Sequence, residues 1–450
     1  GAATIVNDAG LNFAASTVTG ALTATATTGN ITDSGNLTVT GTSSFTTSAS
    51  NATITLDATN ALASAVTLST TGSSGNATID NGTTALDIAA STVGGNLTLT
   101  TGHASGITDS GNVVVGGNFS ATTDDNNGVI NVGTMQVDGT VALTTNGNGA
   151  ATIVNDAGLN FAASTVTGAL TATATTGNIT DSGNLAITGA AVFTTGATGS
   201  NIELDSSGNA FAAQVTMQAD DGSEAFGNIA FVDSAAIDFA TSAGSNGDLY
   251  INAGTDGAVG GNLSVTATTG NITDTVALAV TGTTTLVTSA NDATISLDTT
   301  TNAFTGAVTI TTNDASGTDA DVTIDGGTTA LDIAASTIDG DLTLTSGHAS
   351  GITDSGTVTV GGNFSATTDA NNGVINVGQM AVDGTVALTT NGNGAATIVN
   401  DAGLNFAAST VTGALTATAT TGNITDSGAL TITGTTTLVT SAYDATISLD

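Results

Sequence analysis

The sequence predicts an all-β fold, a three-sided parallel β-helix (β-solenoid), with the right-handed sense that crossover connections usually take. Three observations predict it. Long stretches repeat almost unchanged, a shorter period of about 25 residues lies beneath them, and apolar residues alternate with threonine between turn-forming residues. A period of about 25 residues in a chain of 450 gives about 18 coils. We therefore expect residues 1–450 to form one continuous solenoid.

The long repeats predict how the chain is organised. Residues 1–37 recur identically at 149–185, and ATTGNITD, first seen at 26–33, occurs four times. Whole coils preserve the register of stacked strands, whereas a partial insertion shifts it, so copies are expected to be gained and lost as whole coils. We expect the chain to be an excerpt of a longer repeat array. Its internal repeat units are expected at about 1–148, 149–252 (shortened), 253–393 and 394–450 (partial).

Short alternating segments supply the strands. In ALTATA, Leu22, Ala24 and Ala26 share one face of a strand, and Thr23 and Thr25 share the other. Glycine, asparagine, aspartate and serine separate such segments where the chain must turn. One unit cannot bury its apolar face alone, so we expect the units to stack into a continuous core.

The charge composition excludes several partners. The chain has no lysine or arginine, 37 acidic residues and a formal net charge of −37. Nucleic acid is excluded because its phosphates are bound by basic side chains, and an anionic membrane surface is disfavoured for the same reason. No run of about 18 apolar residues occurs, so no membrane-spanning helix is predicted. Cations are the partners that this charge favours.

An aspartate or asparagine ends each predicted coil. Carboxylates about 5 Å apart along one corner would repel each other by about 1 kcal/mol in water. Two interpretations stay open: the side chains form Asx-turns in water, or they bind cations such as Ca²⁺ weakly. The nonapeptide typical of dedicated calcium repeats is absent, and no other cofactor is expected. The candidate cation ligands are Asp33, Asp57, Asp80, Asp109, Asp156, Asp181, Asp274, Asp298, Asp325, Asp354, Asp401 and Asp426.

The two histidines are the remaining candidates for chemistry. His103 and His348 occupy equivalent positions in two copies of GHASGITDSG. Pairing with Asp109 or Asp354 would suit a metal site or an acid–base pair. Duplication of one coil explains both histidines as surface turn residues, which is the interpretation that we favour. No coil forms a distinct site, so we expect no enzyme and name no catalytic residue.

Units such as GNLTVTGTSSFTT and GALTATATTGNITDSG resemble the β-strand repeats of giant bacterial surface exoproteins. The nearest named group is the filamentous-haemagglutinin-like adhesins secreted by the two-partner route. The resemblance implies an extracellular or cell-surface shaft or filament without catalysis. Two alternatives are an adhesin that binds glycans or cells, and a matrix or sheath in which Ca²⁺ bridges acidic rods. Expected partners are further copies of the chain, end to end or side by side, divalent cations and glycans.

Overall fold

A computed structural model describes residues 1–219, 227–240, 248–252, 258–313, 319–369 and 372–450. The chain divides into two compact units, unit 1 (1–224) and unit 2 (225–450), which are described separately. Strands pair in parallel within both units, and the two together comprise about 19 turns, so the predicted all-β parallel β-solenoid is confirmed. No helix long and apolar enough to cross a membrane occurs among these residues.

Unit 1 contains strands β1 to β29. In chain order they are Ala3–Asn7, Leu11–Phe13, Ser16–Val18, Leu22–Ala26, Ile31–Asp33, Leu37–Val39, Ser43–Ser50, Ile54–Leu56, Ala61–Leu62, Val66–Thr71, Ala77–Asp80, Leu86–Ile88, Ser91–Val93, Leu97–Thr101, Ile107–Asp109, Val113–Val115, Phe119–Thr123, Ile130–Val137, Thr140–Thr144, Ala151–Asn155, Leu159–Phe161, Ser164–Val166, Leu170–Ala174, Ile179–Asp181, Leu185–Ile187, Ala191–Thr195, Ile202–Leu204, Ala210–Phe211 and Val215–Ala219.

Unit 2 contains strands β30 to β57 among its described residues. In chain order they are Ile229–Asp233, Ile237–Phe239, Asp248–Asn252, Ala258–Val259, Leu263–Ala267, Ile272–Asp274, Ala279–Val280, Thr284–Asn291, Ile295–Leu297, Ala303–Phe304, Val308–Asn313, Val322–Asp325, Leu331–Ile333, Ser336–Ile338, Leu342–Ser346, Ile352–Asp354, Val358–Val360, Phe364–Thr368, Ile375–Val382, Val386–Thr389, Ala396–Asn400, Leu404–Phe406, Ser409–Val411, Leu415–Ala419, Ile424–Asp426, Leu430–Ile432, Thr436–Thr440 and Ile447–Ser448.

The core lies inside the turns, where the alternation predicted it. In β4, Leu22, Ala24 and Ala26 are at most 1% exposed, whereas the threonines between them face outward. Phenylalanine rings also stack from turn to turn in the core. The rings of Phe161 and Phe193 meet edge to face with their centroids 6.2 Å apart.

Stacking on neighbouring turns, rather than local sequence, buries these side chains. Ile5 and Ile153 occupy the same position in identical stretches, yet Ile5 is 37% exposed and Ile153 is 0% exposed. Ile5 lies in β1, which pairs with β4, whereas Ile153 lies in β20, which is covered by β18 on one side and β23 on the other. The neighbouring turn therefore supplies the burial, as expected for a repeat that is stable only when stacked.

The spacing between paired positions is shorter than the average predicted from the sequence. Ala3 pairs with Leu22, 19 residues on, and Leu22 pairs with Ser43, 21 residues on. In unit 2, Ile229 pairs with Leu263, 34 residues on. Long connections of this kind enter the average over the sequence, which is why the marker residues give about 25 where most turns need about 22.

Turns of two kinds alternate with each other. Most contain one long strand and two short strands separated by a bend, as in β12 and β13. The turn formed by β10 and β11 has only two strands, and the next turn lays both of its short strands over β10, pairing Val66 with Ile88 and Ser69 with Thr92. The same arrangement recurs at β19, β40 and β49. A straight strand here pairs with a bent one, so an N–H between the two pairings lacks a backbone partner.

A serine hydroxyl fills this gap in all four places. At the bend between β21 and β22, Ser164 Oγ accepts a hydrogen bond from the N–H of Leu143 at 3.0 Å and donates one to the carbonyl of Ala162 at 2.9 Å. Equivalent N–H to hydroxyl bonds join Leu68 to Ser91, Ile310 to Ser336 and Leu388 to Ser409. The sequence analysis did not predict this role for the serine of AAST.

We predict that Ser164→Ala destabilises unit 1 by about 1–3 kcal/mol, because the buried N–H of Leu143 loses its acceptor. Faster hydrogen exchange in the peptide that contains Leu143 would report the loss. Ser16→Ala is the matched control, since Ser16 has the same sequence neighbours but only donates to Ala14. Equal effects of the two substitutions on exchange and stability would contradict the role assigned to Ser164.

Candidate functional site

The corners between strands concentrate the polar side chains that the sequence analysis singled out. Strand pairing stops at a corner, so backbone N–H groups there need other acceptors. The four copies of ATTGNITD solve this in the same way: the asparagine Oδ1 accepts the N–H of a residue one turn later. The bonds join Asn30 to Thr53, Asn178 to Asn201, Asn271 to Thr294 and Asn423 to Thr446, at 2.8–2.9 Å.

The aspartate that ends each copy is also an acceptor between turns. Asp33 accepts hydrogen bonds from the N–H groups of Asp57 and Ala58, at 3.2 and 3.3 Å, and from Asn60 Nδ2 at 2.7 Å. The other copies repeat the amide-to-carboxylate bond, from Asn209 to Asp181 and from Asn302 to Asp274, or the N–H bond, from Asp450 to Asp426. The recurrence of this aspartate thus has a structural cause.

The asparagines that contact these aspartates lie in the interior. Asn60, Asn209 and Asn302 are at most 1% exposed. Each uses Nδ2 to reach an aspartate and Oδ1 to accept a backbone N–H, from Leu37, Leu185 and Leu278 respectively, at 2.7–2.8 Å. A neutral amide can do both, so it satisfies two buried groups without placing a charge in the core.

A second kind of buried asparagine closes a corner completely. Asn155 is 1% exposed; its Oδ1 accepts from the N–H of Val137 at 2.8 Å, and its Nδ2 donates to the carbonyls of Val137 and Gly158. Asn400 repeats these bonds in unit 2. The sequence analysis missed both residues. The signal was available, because the alternation places Asn155 on the inward face with Ala151 and Ile153.

The remaining predicted cation ligands lie at other corners. Asp109 accepts from the N–H groups of Gly133 and Thr134 at 2.9 and 2.7 Å, and Asp354 makes equivalent bonds. Asp80 and Asp325 each accept from the N–H two residues on, which is the expected Asx-turn. Four others lie at exposed corner positions: Asp57, Asp156, Asp298 and Asp401.

Carboxylates of successive turns influence one another in unit 2. Burial raises the pKa of Asp274 above its ordinary value, and the bonds from Asn302 and the backbone only partly oppose this. Burial also raises the pKa of Asp325, and the charges of Asp369, Asp274 and Asp298 raise it further. Among the described residues, no group of three or more His, Cys, Asp or Glu side chains is arranged to hold a metal ion. Cation binding by single corners stays a prediction.

The two histidines lie in turns. His103 Nδ1 accepts from the N–H of Ser105 at 3.0 Å, and His348 Nδ1 accepts from Ser350 at 3.0 Å. The carboxylate of Asp109, a possible partner, instead bonds to the following turn. This geometry agrees with the interpretation of both histidines as turn residues.

The fold and its corners define a class, a parallel β-solenoid repeat protein whose turns are joined by side-chain hydrogen bonds. Within this class the chain belongs to the family described as Repeats of unknown function (DUF5649). The model of that family matches residues 1–69, 74–125, 148–218, 227–311, 319–375 and 393–450. No curated protein and no solved structure matches the chain.

We predict that Asn155→Ala destabilises unit 1 by about 2–4 kcal/mol, because it leaves one N–H and two carbonyls without their partner in a buried corner. Denaturant unfolding of the chain measures this loss. The control is Asn7→Ala, which has the same sequence neighbours but donates only to Gly10. A comparable loss in both variants would show that the corner bonds of Asn155 contribute little.

A pH dependence follows from the raised pKa of Asp325. Between the ordinary value of 3.8 and the raised one, the folded state binds more protons than the unfolded state, so stability falls as pH rises through this range. Asp325→Asn keeps an acceptor for Gly327 and removes the charge. We predict a gain on the order of 0.5 kcal/mol at neutral pH after solvent screening, and a smaller fall in stability from acid to neutral pH.

Thermal unfolding at several pH values measures the effect of this substitution. Asp80→Asn in unit 1 is the control for removing one carboxylate from the same Asx-turn, since Asp80 accepts from Gly82 as Asp325 does from Gly327. A pH profile that Asp325→Asn leaves unchanged would contradict the electrostatic account.

Proposed function

We propose that the chain is a structural shaft, part of an extracellular rod or filament that spaces or projects other parts of its assembly. One observation carries the proposal. The polar side chains at the corners, including the aspartates of ATTGNITD, are used in bonds between successive turns. Side chains that a binding or catalytic protein would keep for its ligand instead hold the turns together.

Pairing between turns supports a load-bearing role. β4, for example, pairs over five residues with β1 on one side and over five with β7 on the other. To open one such turn, the chain must break backbone pairs on two sides and the side-chain bonds at the corners. In a stacked repeat, the stability of each turn depends on its neighbours, which favours a stiff element. With no lysine or arginine, the chain also offers trypsin-like proteases no cleavage site.

The resemblance to surface exoprotein repeats supports a location outside the cell. The net charge of −37 supports solubility and keeps neighbouring shafts apart over the Debye length of about 8 Å at physiological ionic strength. A second candidate function is a matrix in which Ca²⁺ bridges neighbouring shafts. The mutual repulsion that raises the pKa of Asp325 favours it, because a bound cation would relieve that repulsion.

Electron microscopy of the purified chain, with and without a calcium chelator, tests the proposal. We expect rods or filaments with an axial repeat of about 4.8 Å that persist after chelation. Bundles that come apart when calcium is removed would favour the calcium-bridged matrix. Compact particles without the axial repeat would contradict a shaft of either kind.

A further inference from the structure

Each unit contains a surface groove that the shaft role does not explain. In unit 1 the groove has a volume of about 330 Å³ and lies between Val137–Gly139, Ala157–Asn160 and the residues Asn178 and Thr180. Unit 2 has an equivalent groove of about 340 Å³, lined by Val382–Gly384, Ala402–Leu404, Asn405, Asn423 and Thr425. Both volumes lie at the lower end of the range of about 300–1,000 Å³ that is typical of small-ligand sites.

One polar atom in each groove lacks a partner. The Oδ1 atoms of Asn160 and Asn405 are buried and make no hydrogen bond. Leaving a buried acceptor unpaired costs about 1–3 kcal/mol, so an unpaired acceptor in a pocket wall indicates a place for a donor from outside. The amide can turn about its broad terminal torsion, χ2, to bring Oδ1 toward a molecule in the groove.

Three other groups in the groove of unit 1 define the chemistry of that donor. The carboxylate of Asp138 is exposed and accepts hydrogen bonds. Asn178 already uses Oδ1 to accept from Asn201, which leaves its Nδ2 group as a donor, and the hydroxyl of Thr180 can donate or accept. A mixture of acceptors with one or two donors complements neighbouring hydroxyl groups. An anion is disfavoured, since the chain has no basic side chain and Asp138 is negative.

We propose that these two grooves bind a neutral, hydroxyl-rich ligand of the size of one or two sugar rings. Asn160 and Asn405 accept from its hydroxyls, the carboxylates of Asp138 and Asp383 accept from others, and the buried side chains of Val137 and Leu159 provide apolar contact in the first groove. The inference goes beyond the shaft role and does not rest on it. It gives the shaft two equivalent binding sites per chain.

A built-in control exists within the chain. Asn12 lies in the same LNF sequence as Asn160, but the groove of Asn160 also needs Val137–Gly139 from the preceding turn. No groove wall of that kind accompanies Asn12, whose strand β2 pairs with β5 on the other side. Substitution at Asn12 therefore reports the effect of losing an outward asparagine without losing a groove.

Saturation-transfer NMR with the full chain tests the proposal, using the methyl glycosides of glucose, galactose, mannose and N-acetylglucosamine as probes. We expect transfer to at least one glycoside. The double variant Asn160→Ala/Asn405→Ala should weaken its binding about tenfold, while Asn12→Ala leaves it unchanged. Because the substitution removes an unpaired acceptor, the double variant should keep the thermal midpoint of the parent.

Thr180→Val/Thr425→Val is a second double variant that keeps the β-branched shape and should also weaken binding. The absence of transfer from every probe would overturn the proposal, as would binding that neither double variant weakens. Calcium chloride titrated in parallel distinguishes the ligand class. Calcium binding that is lost in the asparagine double variant, without any effect on glycosides, would show a cation site instead. None of these results bears on the axial repeat that tests the shaft role.

Discussion

Backbone hydrogen bonding at the corners is the constraint on which the structure depends. A solenoid pairs its strands with the turns on either side, but each turn must also change direction, and pairing stops there. Side-chain oxygens replace the missing backbone acceptors: Asn30 for Thr53, Asp33 for Asp57, and Ser164 for Leu143. Because these bonds run between turns, they also fix how far one turn is displaced from the next. The composition, rich in Asn, Asp, Ser and Thr, is the composition that such corners require.

The absence of lysine and arginine decides which of these side chains can be buried. A buried carboxylate has no cation to pair with in this chain, so only neutral donors can stabilise it. Asp274 shows the limit of that solution, because burial raises its pKa although Asn302 and the backbone donate to it. The deepest corners accordingly use asparagine, as at Asn155 and Asn209, whose amides supply donor and acceptor without charge.

Local pattern was sufficient to predict the fold, because strand faces follow from alternation alone. Leu22, Ala24 and Ala26 are buried as their spacing indicates. The role of Ser164 could not be predicted in this way. Its stretch is identical to that around Ser16, and only the strand beneath it makes its hydroxyl an acceptor. For the same reason, the motif aspartates were predicted as turn or cation residues, while their bonds to asparagines about 27 residues later were not visible.

Differences between the two units show that the structure requires an acceptor at a corner and not one particular residue. In unit 1, Asn81 accepts the N–H of Leu62; the equivalent position in unit 2 is Gly326, and there the hydroxyl of Thr329 accepts the N–H of Phe304. At exposed corners, the amides of Asn76 and Asn96 are replaced by the carboxylates of Asp321 and Asp341, which accept the same N–H groups. Exchange of amide for carboxylate is tolerated there because water solvates the added charge, whereas at the buried corner the replacement is a neutral hydroxyl. Burial therefore determines which substitutions a corner can accept, and the unpaired backbone N–H determines that it must accept one.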